Sequence, residues 1–264
     1  MLQCLAMAFD LDTVSHLIRD QSDGLADRLD QLSDADWRCP SPCADWTVAD
    51  VVAHLSSGAG VQFRALQRGL EGDTSPIFRD PAERTALTAA KLGLPESRRA
   101  ADYRRELDEL QSFFTTLGES DLARTAWHQS GVHPLRWFLL QRLGETTMHR
   151  GDVHGALGDD FEYPADVASL LLPEYVARLP RLLVPDGAVP ALIRFGDAGF
   201  VRVGPERAAY LPETPVRPTL TLEAGSPTLL RIAVGRLHPQ DAAGLQATGD
   251  TTLLAKWREV FRTL

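Results

Sequence analysis

The chain has 264 residues, enough for one large domain or two ordinary ones, and a chain of that size buries roughly 70% of its unfolded surface without staples. Its three cysteines, Cys4, Cys39 and Cys43, can form at most one pair, which excludes a disulfide scaffold and suits a reducing compartment. Hydrophobic residues make up 44% and the net charge is -9, so wholesale disorder is excluded, and without a basic run to neutralise phosphates, nucleic acid and membrane surfaces are poor ligands.

Residues 1 to 9 are apolar but short, and they lack both a basic start and a small-residue cleavage site. No apolar run approaches a membrane span. The expectation is a soluble cytoplasmic protein, monomer or homodimer, with Met7 as an alternative start to Met1.

In chain order, Leu11, Val14, Leu17, Ile18, Leu25, Leu29 and Leu32 recur with helical period and predict a helix over Phe9 to Leu32. Cys39-Pro40-Ser41-Pro42-Cys43, bracketed by Trp37 and Trp46, predicts an ordered loop with aromatic anchors. Thr47, with Asp50 three residues on, has the form of a capping box and starts a second helix through Leu70. From Gly72 to Pro95 the pattern is mixed, and Pro76 and Pro81 are read as limits on any helix. A third helix is expected over Glu96 to Leu117. A fourth follows His133-Pro134, from Leu135 to about Leu157, and its apolar residues cover most of the circumference, as in a helix buried inside a bundle. Together these are enough for a four-helix bundle.

The pattern changes after Gly158. Residues 165 to 183 read as a helix broken or kinked by Pro173 and Pro180. Strands are expected at Ala191 to Phe195, Gly199 to Val203 and Thr219 to Glu223, the first two joined by a hairpin turn at Gly196-Asp197-Ala198-Gly199. Ser226-Pro227 opens a short helix through Val234, and Asp250 to Leu264 is amphipathic. The fold class is therefore α plus α+β, divided as 1–158 and 159–264.

The polar residues that stand out in the apolar helices are His54 on the second and Glu145 and His149 on the fourth. Glu145 and His149 are four apart and share a helix face. Two imidazoles and a carboxylate, with one position left for water or substrate, form a catalytic zinc set, although the same ligands suit iron, manganese or nickel. Spacing alone leaves the plain reading open, because acid–imidazole pairs at i,i+4 also stabilise helices. Cys39 and Cys43 have no second Cys or His pair nearby and read as loop residues. His128, His133 and His154 lie near the ends of the fourth helix, either shaping a pocket mouth or capping. Arg236, after Gly235, is either a dipole partner of the short helix or an anion clamp. No Gly-x-Ser-x-Gly elbow appears.

Trp37 through Leu55, WRCPSPCADWTVADVVAHL, resembles the N-terminal hallmark of the mycothiol-dependent maleylpyruvate isomerase family, within the DinB-like metalloprotein superfamily. GETTMHRGDVHGALG, from Gly144 to Gly158, resembles the family's second motif, and PTLTLEAGSPTLLRIAVGR with LQATGDTTLLAKW resembles its C-terminal domain. The resemblance implies a DinB-like four-helix bundle whose metal, normally zinc, is held by His54, Glu145 and His149. A smaller sterol-carrier-like α+β domain follows.

It also implies a low-molecular-weight thiol, mycothiol or a relative, as co-substrate. The activity is then either S-transfer to an electrophile or cis–trans isomerisation of a diacid of the maleylpyruvate type. Arg236 is the candidate for holding an anionic substrate, with Arg142 and Arg150 as alternatives. Asp152 either orients His149 or is a surface acid. Since the motifs describe the scaffold better than the reaction, a metal-dependent hydrolase or lyase and a non-catalytic binder of small ligands stand as alternatives.

Overall fold

The computed structural model describes residues 9–43, 45–184 and 190–262. Cys4, Met7 and the last residues of the C-terminal segment lie outside them. The chain divides into two compact units, Phe9–Phe161 and Glu162–Leu264. No helix among the described residues is long and apolar enough to cross a membrane.

The first unit is built on four long helices: α1 (Leu11–Leu29), α2 (Val48–Leu70), α4 (Glu96–Phe114) and α5 (Leu135–Ala156). They close a ring in which α2 packs on α4, α4 on α1, α1 on α5 and α5 on α2. Their shared interior holds Ile18, Leu25, Leu55, Leu66, Tyr103, Leu110, Leu135 and Leu139, each shielded from solvent. The stripes read from the sequence are these faces, and burying them is what holds the unit together.

Between α2 and α4 stands α3 (Pro81–Leu92), a helix where the sequence pattern gave none. Pro81 occupies its first turn, where a missing N–H costs nothing. The Asp80 carboxylate accepts the Glu83 N–H at 3.0 Å, and Glu83 accepts the Arg79 N–H at 2.9 Å. The proline starts this helix instead of limiting it. None of its residues is buried, so it carries little apolar signal.

A second unanticipated element is the hairpin of β1 (Thr125–His128) and β2 (Gly131–Pro134). It leans on α2 at Gly69, where a Cβ would stand 2.7 Å from both the Ala126 Cβ and the Thr125 carbonyl. At the far end of the bundle Arg28 of α1 donates to Asp159 at 2.7 Å, and Asp159 also meets His154 Nδ1 at 2.9 Å. The His154 ring lies flat against Phe161, with centroids 4.7 Å apart.

In the second unit α6 (Ala165–Arg178) runs unbroken through Pro173. Pro173 and Ser169 both lie on the exposed side, where solvent can take the carbonyl that the proline leaves without a donor. The kink expected at Pro180 is instead a change to one 3₁₀ turn, Leu179–Leu182. The sheet contains β3 (Ala191–Phe195), β4 (Phe200–Val203), β5 (Ala208–Leu211), β6 (Leu220–Glu223) and β7 (Gln246–Gly249), in the order β5-β4-β3-β6-β7. Only the β3–β6 pair is parallel. The two edge strands, β5 and β7, contain no buried residue, unlike each of the three inner strands. After β6, α7 (Ser226–Ala233) packs on α6. The C-terminal amphipathic segment forms two single turns, α8 (Thr252–Ala255) and α9 (Trp257–Val260), which bury Leu253, Trp257 and Val260.

Gly69→Ala is expected to destabilise the chain by about 1–3 kcal/mol, because hairpin backbone blocks the added methyl; a urea-denaturation midpoint equal to wild type would contradict the tight fit. A second expectation concerns pH. Burial, against the pull of Asp159, holds the His154 pKa below the usual imidazole value. The unfolded chain then binds the extra proton more readily, so the contribution is intact above about pH 6.5 and is lost as pH falls through the lowered folded value. Thermal stability measured from pH 8 to pH 5 is expected to fall less steeply in His154→Gln than in wild type; parallel slopes would refute it.

Candidate metal centre

Helix α2 begins where the sequence indicates. Thr47 Oγ1 accepts the Asp50 N–H at 3.3 Å and Asp50 Oδ2 accepts the Thr47 N–H at 2.9 Å. Fixing that first turn fixes the phase of the helix, with Val48, Val51, Val52 and Leu55 buried and His54 half-buried at the edge of their stripe. On α5, Glu145 and His149 are one turn apart, about 6 Å along the axis. The two helices pack face to face, and this brings the three side chains together.

His54 Nε2 lies 3.0 Å from Glu145 Oε2, and His149 Nε2 lies 3.7 Å from the same oxygen. One ligand-type atom from each of the three residues lies within 4.8 Å of the other two. Two donors each about 2.05 Å from a tetrahedral ion stand about 3.3 Å apart, so the measured separations bracket what one ion requires. The donor set, two imidazole nitrogens and a carboxylate, fits a divalent transition metal.

The surroundings are ordered around this cluster. Asp152 is 1% exposed and its Oδ2 accepts from His149 Nδ1 at 2.8 Å. The surface reading of Asp152 is therefore replaced by a buried one, and its hydrogen bond turns His149 Nε2 toward Glu145. Trp46 lies 5.0 Å from the His54 ring and 5.9 Å from the His149 ring, measured between centroids.

Beneath the cluster, Arg142 is 3% exposed and donates through Nε to Gln62 Oε1 at 2.9 Å, while Gln62 Nε2 donates to the Phe138 carbonyl at 2.7 Å. Burial lowers the Arg142 pKa, opposed by the charge of Glu145. For Glu145, burial alone would raise the carboxyl. The His54 hydrogen bond and the charges of His54, His149 and Arg142 outweigh it and hold the pKa well below the usual carboxylate range.

The other candidates are dispersed. His128 and His133 belong to the hairpin, where both meet Ser130 Oγ, at 2.8 and 2.9 Å, and the His133 ring stacks on Trp137. His154 is in the Arg28–Asp159 cluster. Arg150 donates to Gln21 of α1 and lies over Phe161. Cys39 and Cys43 are not joined by a disulfide and sit in the loop that carries Trp46. Arg236 is in the C-terminal unit, on the turn after α7, where Gly235 has φ 74 and Arg236 Nη1 reaches the Val234 carbonyl at 3.5 Å.

Sequence reasoning did not single out Gln62. The available signal was a polar residue four before Leu66 and seven after Leu55, in phase with the apolar stripe. Trp46 was read only as a loop anchor, because a loop has no period from which to tell what a side chain faces.

Two crystal structures resemble the fold closely. A mycothiol-dependent maleylpyruvate isomerase aligns with TM-score 0.69 at 17% identity, and a histidine-to-alanine mutant of that enzyme with TM-score 0.70 at 15%. Each alignment covers 92% of this chain and 95% of the other. At such identities the likeness is one of fold, and it extends over both the helical unit and the sheet unit. No curated protein matches the chain significantly. The model of the mycothiol maleylpyruvate isomerase N-terminal domain matches residues 18–154, a stretch that contains His54, Glu145 and His149, and the chain belongs to that family.

Proposed function

We propose that the chain is a metal-dependent, thiol-dependent isomerase, with the ion held by His54, Glu145 and His149 and with mycothiol or a related small thiol as co-substrate. The observation that carries this reading is the convergence of three ligand-type atoms within 4.8 Å in a member of this family. Zinc is the ion that best suits two imidazoles and one carboxylate with a position left open. The helical part, residues 1 to 158, carries the centre.

When bound, a divalent ion lowers the pKa of a thiol and holds it as thiolate, the nucleophilic form. The chain's own residues do the rest. Asp152 accepts the Nδ1 proton of His149, which fixes the tautomer and leaves Nε2 free as a ligand. Glu145, held ionised by its surroundings, supplies an anionic oxygen at neutral pH. Arg142 balances that charge, so the half-buried carboxylate needs no proton at neutral pH.

The thiolate sulfur forms a C–S bond to one carbon of a conjugated cis double bond, and the π electrons move onto the neighbouring carbonyl as an enolate. The former double bond is now single and rotates. The enolate electrons then re-form the double bond as trans while the C–S bond breaks and the thiolate is returned. No proton or electron is gained or lost overall. The enolate and a substrate carboxylate are both anionic, and Arg236 is the residue assigned to them.

Wild-type protein is expected to purify with one ion per chain by elemental mass spectrometry, and His54→Ala and His149→Ala with none. Asp152→Asn is expected to bind it about 10- to 100-fold more weakly. A wild-type chain without an ion overturns the metal reading, and a loaded chain that gives no heat with mycothiol in calorimetry overturns the thiol reading in favour of a hydrolase or lyase. Arg236→Ala is expected to raise KM for an anionic electrophile with ion content unchanged; an unaltered KM removes Arg236 from the site.

A further inference from the structure

The two imidazoles of the centre are not held alike. His149 has Asp152 on its Nδ1, at 2.8 Å. Among the described residues His54 makes one side-chain hydrogen bond, from Nε2 to Glu145, and it engages the same two atoms that an ion would take. Once they turn to an ion, no hydrogen bond at Nδ1 fixes the His54 ring. Ligand imidazoles are almost always oriented by such a bond, since rotation about the Cβ–Cγ bond is otherwise soft.

What does contact the ring is Trp46. The indole and the two imidazoles form a triangle of mutually touching rings. Trp46 is tilted 50° to His54 at 5.0 Å, it is near-parallel to His149 at 26° and 5.9 Å, and the imidazoles meet edge to face at 5.1 Å. Trp46 is half-buried and so lies at the border of the core, with its ring against the cluster.

The backbone that carries it is tied at both polar atoms. The Trp46 N–H donates to the Cys43 carbonyl at 3.0 Å, and the Trp46 carbonyl accepts from Ser41 N at 2.8 Å. Two residues on, Val48 N donates to the Cys39 carbonyl at 3.0 Å, and Pro40 bridges to Thr47. This closes the loop onto the capped start of α2. On the other side Pro42 lies against α5 at Gly155, where a Cβ would stand 3.0 Å from Pro42 Cγ. The loop thus spans the two helices that carry the ligands. Asp45, just before the indole, takes φ 66, a left-handed conformation uncommon outside glycine.

We propose that Trp46 is a positioning residue of the centre: fixed by its backbone hydrogen bonds to Ser41 and Cys43, its ring holds the His54 and His149 imidazoles in ligand-ready planes and does for His54 what Asp152 does for His149. This rests on the metal reading above. It explains why a tightly turned loop with a left-handed Asp45 is placed between α2 and α5, and it gives the Pro42–Gly155 contact a role beyond packing.

The test uses full-length protein as wild type, Trp46→Phe and Trp46→Leu, with Zn2+ affinity and release measured against a chromophoric chelator and the melting temperature of each metal-free chain as control. If the ring acts as an orienting partner, Trp46→Leu weakens Zn2+ binding by about tenfold or more and speeds release, while Trp46→Phe, which keeps an aromatic face, stays within about threefold of wild type. The emission lost in Trp46→Phe relative to wild type is also expected to be quenched when Co2+ is added. A purely structural role would lower the melting temperature and leave Zn2+ affinity unchanged. Trp46→Leu holding Zn2+ as tightly as wild type, or a Trp46 emission blind to Co2+, overturns the proposal alone. A wild-type chain that takes up no ion overturns the metal reading and this proposal with it.

Discussion

An ionised carboxylate set between helices of an apolar bundle is the constraint to which the first unit answers. Glu145 is held in its charged form although its partial burial opposes it, and a charge drawn out of water is costly unless it is paired and hydrogen-bonded. Its partners come from both sides of the α2–α5 seam: His54 from α2, and His149 and Arg142 from α5. A slip of α2 by one residue would turn His54 away by about 100° and cost the carboxylate its hydrogen bond across the seam. The capping box at Thr47 fixes the start of α2, and Gln62, which bonds the Phe138 carbonyl and Arg142 at once, fixes its register against α5. The polar network therefore specifies the pairing, while the apolar stripes supply most of the burial energy.

Helix α5 brings two arginines toward the bundle, and each lies near a glycine of a facing helix. A Cβ at Gly58 of α2 would stand 3.4 Å from Arg142 Nη2. A side chain at Gly24 of α1 would run into the Arg150 guanidinium. At Gly58 an added methyl would be in ordinary contact with Arg142, and only at Gly24 would the guanidinium have to move. For Arg142 the gain is electrostatic, since it balances Glu145. For Arg150 it is a stacking place over Phe161 and a bond to Gln21.

Much of this can be read from the sequence, and the unreadable parts share a cause. The long helices bury wide stripes, so Leu17, Ile18, Leu25, Val51, Val52 and Leu55 announce themselves by period. His54, Glu145 and His149 stand out as polar residues in such stripes, and the i,i+4 spacing on α5 is legible as a shared face. Helix α3 buries nothing, and β5 and β7 are edges, so their residues carry no pattern for period to detect. Pro81 and Pro173 show a different limit: each was read as a breaker, but one lies in a first turn and the other on an exposed side, and only the surroundings decide between those outcomes. Asp152 was legible as a neighbour of His149 but not as a buried one, because three residues of separation fix direction and leave depth open.

Counted together, Glu145, Asp152 and Arg142 carry one negative charge in excess when the imidazoles are neutral. On the proposed reading a divalent ion turns that excess into one positive charge, and a thiolate cancels it. The cluster would then be neutral with its thiol in place, which a partly apolar site accommodates at far less cost than either charged state. The chain as a whole is strongly acidic at -9, so its long-range field repels an anionic electrophile. A neutral centre adds nothing to that repulsion, and attraction for the substrate must come from a cation outside the cluster.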